Sequence, residues 1–423
     1  MARRCLSLAA RHAFDPSNTQ SSLKHFGSGE LLCRASLMSA LRLPGFVPAA
    51  KFALTSAVAG ARSGQPLVAA CGAGVLGVAR RVVEGQFVAG ESLEAALAMA
   101  EDLRSRLGVG AIVDHSVEDA VDLESNRARK VDLVAGVPRG AMVPLKATAL
   151  ADVAMLRELS GAIFASDDAD AARTRRSLVK SLDGRGEYEA AADFLEALAR
   201  SAADRGVALL LDAERTPIQP AVDALAVDVM RRFPGAARPA LYNTYQSYLL
   251  GSEERLALDA AACRDAGAPF GAKVVRGAYL ADERPTGKLR PSKAATDAAY
   301  DATVAGCVEA AARGDACFLL CATHNPDSAR AAVRAVDDAG LDRDDPRVAF
   351  AQILGMCDTL TTELATAGCR VHKLVLFGAF DDVAPWIARR LDENKDALGA
   401  PTAENALLWR ELGRRLLGGA SSP

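Results

Sequence analysis

Two adjacent arginines near residue 390 are candidates for binding a charged ligand. Arg389 and Arg390 follow Trp386 by about one helical turn, and Glu393 lies three residues after Arg390. A guanidinium is planar and always charged, and it can donate two parallel hydrogen bonds to a carboxylate. A pair of arginines considered alone is more often part of a solvated helix face, so its interpretation depends on the rest of the sequence.

Polar residues also mark the ends of a series of short apolar segments. From residue 109 onward, eight such segments alternate with Ala-rich, charged stretches of helical periodicity. They span residues 110–116, 142–150, 206–214, 239–246, 272–279, 317–325, 347–354 and 370–378. At or near their carboxyl ends lie Asp114, Lys146, Asp212, Gln246, Arg276, Tyr279, Thr323, His324, Gln352 and Leu354. Any one of these could cap a strand or pair with a neighbour, as Lys146 with Asp212, but together they indicate a site.

Eight buried strands, each followed by a helix or a long loop, predict an α/β fold of the closed (β/α)8 barrel type. In such barrels the chemistry lies at the carboxyl ends of the strands, where this sequence concentrates its polar residues. We predict the barrel over residues 109–418 and a helical region over residues 36–108. An open doubly wound sheet is the alternative.

Composition limits the partners. The chain has 423 residues, of which 50% are hydrophobic, and its 50 basic and 53 acidic residues give a net charge of -3. This balance gives no general attraction to nucleic acid or anionic lipid, which favours a small-molecule partner. Nine cysteines without a CxxC pair indicate reduced thiols. None of the five histidines has a metal-ligand spacing, so no metal site is expected.

The amino-terminal residues have a distinct composition. The first 29 residues contain Arg3, Arg4, Arg11 and Lys24 but only one acid, Asp15. This is typical of a mitochondrial or plastid transit peptide, and we predict that residues 1–35 are a transit peptide or disordered. An ordinary basic tail is the alternative. The apolar run at residues 66–79 is shorter than the ~20 residues that a spanning helix needs.

That apolar run also contains a glycine pattern. Gly72, Gly74 and Gly77 have the GxGxxG spacing of dinucleotide-binding folds. The second strand that such a fold requires is replaced by a helix-periodic stretch at residues 91–108. A Gly/Ala-rich helix is therefore favoured over a Rossmann unit.

A series of longer motifs resembles proline dehydrogenases, the flavin enzymes that open proline catabolism. The motifs are VPLKATAL, LLLDAERTPIQPAV, YNTYQSYL, GAKVVRGAYLADER, CATHNP, AQILGMCD and RRLDENKDAL, in this order. The resemblance extends from about residue 84 to residue 417. It is to the stand-alone, eukaryotic mitochondrial type, so no second catalytic domain is expected.

The resemblance implies a distorted barrel with FAD at its rim and the eighth helix over the site. It assigns Arg389 and Arg390 to a clamp for the substrate carboxylate, with Lys146 beside them. It implies that Asp212 hydrogen-bonds to Lys146 and Tyr279. The remaining assignments are Tyr279 and Leu354 as walls of the substrate site, Glu118 as a partner of Arg389 in a closed lid, Glu393 in the eighth-helix motif, and Gln246, Lys273, Arg276, Thr323 and His324 as FAD contacts.

The implied activity is oxidation of L-proline to Δ1-pyrroline-5-carboxylate by hydride transfer to the flavin, with no covalent step. The electrons would pass to a quinone. The resemblance further implies a location on the matrix side of the inner mitochondrial membrane, with a peripheral membrane contact.

Two positions depart from the family pattern. Trp386 stands where the pattern has a tyrosine, and Leu374 stands where the family usually has a second tyrosine against the substrate ring. Relatives that act on 4-hydroxyproline also lack the second tyrosine. A dehydrogenase for hydroxyproline or a related imino acid is therefore one alternative, and a flavin-binding barrel without turnover is another. Because a leucine offers a substrate hydroxyl no hydrogen bond, we predict a preference for proline.

Overall fold

The structure, a computed structural model, describes residues 14, 15, 17–61, 63–115, 122–165, 186–384, 386, 387 and 399–418. The chain divides into two compact units. The first comprises residues 1–118, 324–326 and 351–423, and the second comprises residues 119–323 and 327–350.

The amino-terminal part of the first unit is helical. α5 begins where the Ser92 side chain accepts a hydrogen bond from the Ala95 N–H, and it ends at Gly108, whose φ of 68° suits a glycine. These helices confirm that a helical region precedes the barrel, although the short strand β1 was not predicted. The elements are α1 (Thr19–Ser22), α2 (Ser28–Leu41), α3 (Phe46–Ala61), α4 (Pro66–Val83), β1 (Val88–Gly90) and α5 (Leu93–Leu107).

The glycines with the dinucleotide-binding spacing lie inside α4. A dinucleotide-binding motif would place them in a turn between a strand and a helix, so the helical interpretation is confirmed and the Rossmann alternative was wrong. Gly72 has a packing role instead. A Cβ at this residue would lie 2.4 Å from the Ala61 nitrogen and 2.6 Å from the Ala57 carbonyl oxygen, so α3 and α4 approach closely there.

All eight predicted strands are present. They are β2 (Gly110–His115), β3 (Met142–Leu145), β4 (Ala208–Leu211), β5 (Leu241–Gln246), β6 (Phe270–Val275), β7 (Cys317–Ala322), β8 (Val348–Ile353) and β9 (Val371–Phe377). The sheet order is β1-β9-β2-β3-β4-β5-β6-β7-β8, and β9 also pairs with β8. The eight strands β2 to β9 therefore close into a barrel, and the open-sheet alternative was wrong. Every residue of β3 and of β5 is buried, as expected of parallel strands covered on both faces.

Helices connect the strands of the barrel. They are α6 (Leu123–Gly136), α7 (Val153–Ala165), α8 (Glu187–Arg205), α9 (Gln219–Met230), α10 (Ser252–Asp265), α11 (Leu280–Glu283), α12 (Lys293–Ala312), α13 (Pro326–Asp338) and α14 (Asp358–Thr366), and the last helix is α15 (Gly399–Leu417). Residues 388–398, which carry the motif predicted to lie over the rim, are outside the described residues. The position of that helix stays a prediction.

The two ends of the described chain pack together in the first unit. Leu23, Phe26 and Leu31 are buried in one cluster with Leu408 and Leu412 of α15. The segment predicted to be a transit peptide or disordered, residues 1–35, therefore includes folded residues from α1 and α2, while residues 1–13 lie outside the described part. Where a targeting segment would end stays a prediction.

In the described ranges, no group of three or more His, Cys, Asp or Glu side chains could hold a metal ion. Across those ranges, no helix has both the length and the apolar character needed to cross a membrane.

Candidate functional site

An ion pair in the second unit joins the carboxyl end of β4 to β6, across β5. Leu211 pairs with Asn243, and Thr244 pairs with Lys273, so Asp212 lies at the level of Lys273 across the intervening strand. Lys273 Nζ donates to Asp212 Oδ1 at 2.6 Å. The two side chains are 17% and 31% exposed, respectively, so the pair is accessible from solvent. The sequence assigned Asp212 to Lys146 and Tyr279, and those contacts stay predictions.

Arg276, just after β6, joins residues from three elements. Its Nε donates to Asp297 Oδ1 at 2.5 Å, its Nη1 to Thr323 Oγ1 at 2.8 Å and its Nη2 to Ser328 Oγ at 2.7 Å. The guanidinium carbon also lies 4.6 Å from the centre of the Tyr300 ring. The structure thus brings together Arg276 and Thr323, two predicted cofactor contacts. We call Asp212, Lys273, Arg276, Asp297 and Thr323 the strand-end cluster.

Sequence reasoning missed Asp297 in this cluster. It lies on α12, where an isolated acid in a charged helix gives no signal of its own. Burial would raise the pKa of Asp297, but hydrogen bonds from Lys293 and Arg276 outweigh it and lower that pKa. Asp297 is therefore held ionised and fixes the orientation of the Arg276 guanidinium.

Gln246 positions the loop that carries Tyr279. Its Nε2 donates to the Glu214 carbonyl oxygen at 3.1 Å, and its Oε1 accepts from the Ala278 N–H at 3.1 Å. Gly277 has a φ of +152°, and a Cβ there would lie 1.9 Å from Tyr248 Cε1. The loop therefore requires glycine at this residue. Both the oxygen and the nitrogen of the Gln246 side-chain amide form hydrogen bonds to the backbone, which is consistent with a role in positioning this loop.

A second acid missed by the sequence lies near Lys146. The Glu214 carboxylate accepts a hydrogen bond from Thr148 Oγ1 at 2.9 Å. Burial raises the pKa of Glu214, against the lowering effects of Thr148 and of the positive charge of Lys146. Lys146 is thus placed within electrostatic range of Glu214, at the end of β3.

His324 and Leu354 belong to the first unit. His324 Nε2 accepts from the Ile353 N–H at 3.0 Å, so a neutral ring carries its proton on Nδ1. Leu354 is 3% exposed, and its N–H donates to the Leu374 carbonyl oxygen at 3.1 Å. This bond fixes the predicted substrate wall, Leu354, against the position where the family pattern has a tyrosine.

A buried group of charges lies beside this wall. Lys373 Nζ donates to the Ile353 carbonyl oxygen at 3.0 Å and pairs with Asp358 at 2.9 Å. Arg34 of α2 pairs with the same carboxylate, while Glu404 of α15 accepts from the Thr359 N–H at 3.2 Å. We call Arg34, Asp358, Lys373 and Glu404 the buried ion network. The sequence did not indicate any of its members.

The pKa values of the two acids in the buried ion network, Asp358 and Glu404, are shifted in opposite directions. Burial would raise the pKa of Asp358, but the charges of Arg34 and Lys373 lower it. Burial and the negative charge of Asp358 raise the pKa of Glu404. Asp358 is therefore stabilised as a carboxylate, whereas the ionisation of Glu404 is disfavoured.

Four predicted site residues lie outside the described part of the chain. They are Glu118, Arg389, Arg390 and Glu393. Trp386, just before the arginines, is described and partly buried. The carboxylate clamp and its pairing with Glu118 stay predictions.

Comparisons with known proteins give consistent matches. A family model described as proline dehydrogenase matches residues 96–400. Hydroxyproline dehydrogenase of Rattus norvegicus is 33% identical over 379 residues, covering 80% of this chain and 83% of the relative. The mitochondrial proline dehydrogenase 1 of Homo sapiens is 38% identical over 229 residues, covering 52% of this chain and 38% of that protein.

Solved structures share the fold at lower identity. The crystal structure of proline utilization A from Bdellovibrio bacteriovorus, inactivated by N-propargylglycine, matches with a TM-score of 0.67 and 17% identity. The match covers 89% of this chain and 41% of that protein. A bifunctional proline utilization A protein matches with a TM-score of 0.57 over 98% of this chain and 45% of the other. These likenesses support the barrel fold.

Proposed function

Because the chain belongs to the proline dehydrogenase family and is an oxidoreductase of that family, we propose that it oxidises L-proline to Δ1-pyrroline-5-carboxylate. The observation that carries the proposal is the strand-end cluster. Charged and polar side chains at or near the carboxyl ends of β4, β6 and β7 lie at the edge of the sheet where (β/α)8 barrels perform chemistry.

The cluster fits the FAD that family membership implies. Lys273 uses one ammonium hydrogen on Asp212, and Arg276 uses three of the five N–H groups of its guanidinium on Asp297, Thr323 and Ser328. Donors beyond those engaged by the described residues are available for the phosphate or carbonyl oxygens of a flavin. Gln246, Lys273, Arg276, Thr323 and His324 would hold FAD, which when bound supplies the acceptor for a hydride.

The chain's own groups would bind and orient the substrate. Arg389 and Arg390 would each donate a planar pair of hydrogen bonds to its carboxylate, with Lys146 adding a third positive charge. Tyr279 and Leu354 would bound the ring and exclude water, and Asp212 would hold Lys146 and Tyr279. A neutral secondary amine can release the hydride without a covalent enzyme intermediate, so positioning and electrostatics are what the protein contributes.

Closure and electron transfer complete the proposal. Glu118 would pair with Arg389 when the helix that carries Arg389, Arg390 and Glu393 covers the substrate. The electrons would leave to a quinone. A mitochondrial location, on the matrix side of the inner membrane, is supported by the basic, acid-poor start of the sequence and by relatives that are named mitochondrial.

Hydroxyproline is the second candidate substrate. Four relatives aligned over 80% of this chain are named hydroxyproline dehydrogenases, and they are 33–34% identical to it. Against this stands Leu374, which is partly exposed and offers a substrate hydroxyl neither a donor nor an acceptor. Burying an unpaired hydroxyl costs roughly 1–3 kcal/mol, so we propose proline as the preferred substrate.

The test uses the purified, flavin-loaded protein. L-proline and trans-4-hydroxy-L-proline are added separately under anaerobic conditions, and the loss of the flavin absorbance band is followed with time. Faster reduction by proline supports the proposal, and faster reduction by hydroxyproline supports the second candidate. A protein that cannot be loaded with FAD, or whose flavin neither compound reduces, would contradict both.

A further inference from the structure

Helices α3 and α4 expose an unusual amount of apolar surface. Phe52 is 74% exposed, Leu67 is 82% exposed, and Val68 and Val75 are exposed by more than two fifths. With 3.6 residues per turn, Phe52 and Leu67 lie on the sides opposite the buried residues of their own helices, such as Leu54 and Leu76. We call the outward sides of α3 and α4 the hairpin surface.

Among the described residues of the first unit, one side of this helix pair is packed in an apolar cluster. Leu54, Ala57 and Leu76 pack with Phe380 and Ala384 in one cluster. Most of the exposed positions of the two helices are nevertheless apolar, with Thr55, Ser56 and Arg81 as the polar exceptions among the described side chains. A helix that is apolar on all sides normally has a second apolar neighbour, because exposed apolar surface is unfavourable in water.

The charge of the residues in and around α3 and α4 indicates which kind of partner would cover the hairpin surface. The sequence has no Asp or Glu between Leu31 and Val83, although the whole chain has a net charge of -3. Arg42, Lys51 and Arg81 lie in this stretch, together with Arg80, whose charge is paired with Glu84 and Glu91. Two copies of such a surface would repel each other, whereas a surface of apolar chains with anionic headgroups matches both its apolar side chains and its positive charge.

From these observations we propose that the hairpin surface docks on a lipid bilayer that contains anionic headgroups. The two helices contain 16 and 18 residues, and neither has both the length and the apolar character needed to cross a membrane, so the hairpin surface would lie along the interface. Phe52 and Leu67 would enter the acyl boundary, while Lys51 and Arg81 would contact the headgroups. This local site differs from the general attraction that the net charge argues against.

Vesicle flotation tests the proposal with the full-length protein. The probes are phosphatidylcholine vesicles with and without about one quarter phosphatidylglycerol. We expect the wild type to float with the anionic vesicles and less with the neutral ones. The double variant Phe52→Ser/Leu67→Ser should lose binding by about tenfold or more, because two large side chains no longer leave water. Lys51→Glu/Arg81→Glu should lose about tenfold on anionic vesicles only.

A control variant tests whether the loss of any two exposed apolar side chains, rather than those of the hairpin surface, reduces vesicle binding. Val131 is 45% exposed and Leu258 is 40% exposed on helices α6 and α10, outside the hairpin. Val131→Ser/Leu258→Ser should float as the wild type does. The variants change side chains that are exposed or, at Lys51, partly exposed, so thermal unfolding and flavin content should match the wild type and verify folding.

Three results would overturn the proposal. They are a wild type that floats with neither vesicle, a Phe52→Ser/Leu67→Ser variant that floats as well as the wild type, and a wild-type dimer that this variant converts to a monomer without any vesicle binding. Cys71, an exposed thiol on α4, gives an independent measurement. With Cys5 and Cys33 changed to serine, a polarity-sensitive dye on Cys71 should shift to the blue with anionic vesicles, and an unchanged spectrum would contradict insertion.

Discussion

The strand-end cluster and the buried ion network contain similar residue types in different surroundings. Asp212 and Lys273 of the cluster are 31% and 17% exposed, and the cluster keeps hydrogen-bond donors for a ligand. Asp358 and Lys373 of the network are 10% and 1% exposed, and their partners are protein groups. Under the proposed function, a carboxylate–ammonium pair would serve binding in one place and structure in the other, and solvent access distinguishes the two.

The largest expected effect is the loss of protein stability when the buried ion network is disrupted. Asp358→Ala removes the carboxylate shared by Arg34 and Lys373 and leaves two buried positive charges without it. We expect a loss of about 3–5 kcal/mol in the free energy of unfolding, measured by urea denaturation. The matched variant Asp212→Ala should lose at most about 1 kcal/mol, because its pair is more accessible to solvent. Equal losses would mean that solvent access does not separate the two groups.

Mutation of the proposed carboxylate clamp, like mutation of the strand-end cluster, should weaken ligand binding with little effect on protein stability. Arg389→Ala or Arg390→Ala removes charged hydrogen bonds of roughly 1.5–3 kcal/mol, so the apparent affinity for substrate should fall by about tenfold or more. Steady-state kinetics gives this value, while flavin content and unfolding stay near wild type. Unchanged kinetics in both variants would exclude the clamp.

Within the cluster itself, Lys273→Met should weaken flavin binding. The variant loses a charged donor worth roughly 1.5–3 kcal/mol, so the FAD dissociation constant should rise about tenfold or more. Titration of the apoprotein by flavin fluorescence measures it. Arg200→Met, which removes an exposed side chain of α8 that pairs with Glu196, is the control and should leave FAD affinity unchanged.

Leu374 offers a finer test of the substrate wall. Leu374→Ser supplies both space and a hydrogen-bond partner for a substrate hydroxyl, so the preference for proline over hydroxyproline in kcat/KM should narrow by about tenfold. Leu374→Tyr should leave proline oxidation intact. If the serine variant keeps the wild-type ratio, residue 374 does not face the substrate ring.

The smallest effect is the pH dependence of the buried ion network. The lowered pKa of Asp358 adds stability that is present above its unfolded pKa and is lost as pH falls through the folded pKa. The raised pKa of Glu404 acts oppositely, because stability decreases as pH rises from its unfolded pKa through its folded pKa. The difference in the free energy of unfolding between Glu404→Gln and the wild type should therefore shift in favour of the variant as pH rises from acid to neutral. Parallel stability–pH curves would contradict this.

The barrel was predictable because each strand is an apolar run whose pattern differs from the flanking helices. β1 was missed because its three residues are too short for any periodicity. The site was predictable in part, since strand ends identified Asp212, Arg276 and Thr323 without their mutual distances. The Asp212–Lys273 pair depends on the register of three strands, which the sequence does not display.

The buried ion network could not be predicted from local sequence. Arg34 and Asp358 are separated by 324 residues, and each lies in a helical stretch of ordinary composition. The sequence around either residue does not indicate that it is buried or that it forms an ion pair with a residue far away in the chain. Such networks follow from tertiary packing, whereas strand ends follow from the order of the elements along the chain.

The packing of α1 and α2 against α15 has a consequence for the order in which the protein can fold during synthesis. Leu408 and Leu412 complete the cluster around Leu23 and Phe26, and Arg415 donates hydrogen bonds to the carbonyl oxygens of both Leu23 and Phe26. These contacts join residues that are 389 and 392 positions apart, so they cannot form until α15 has emerged from the ribosome. Until then the amino-terminal helices lack this native partner and stay accessible to chaperones or to an import machinery.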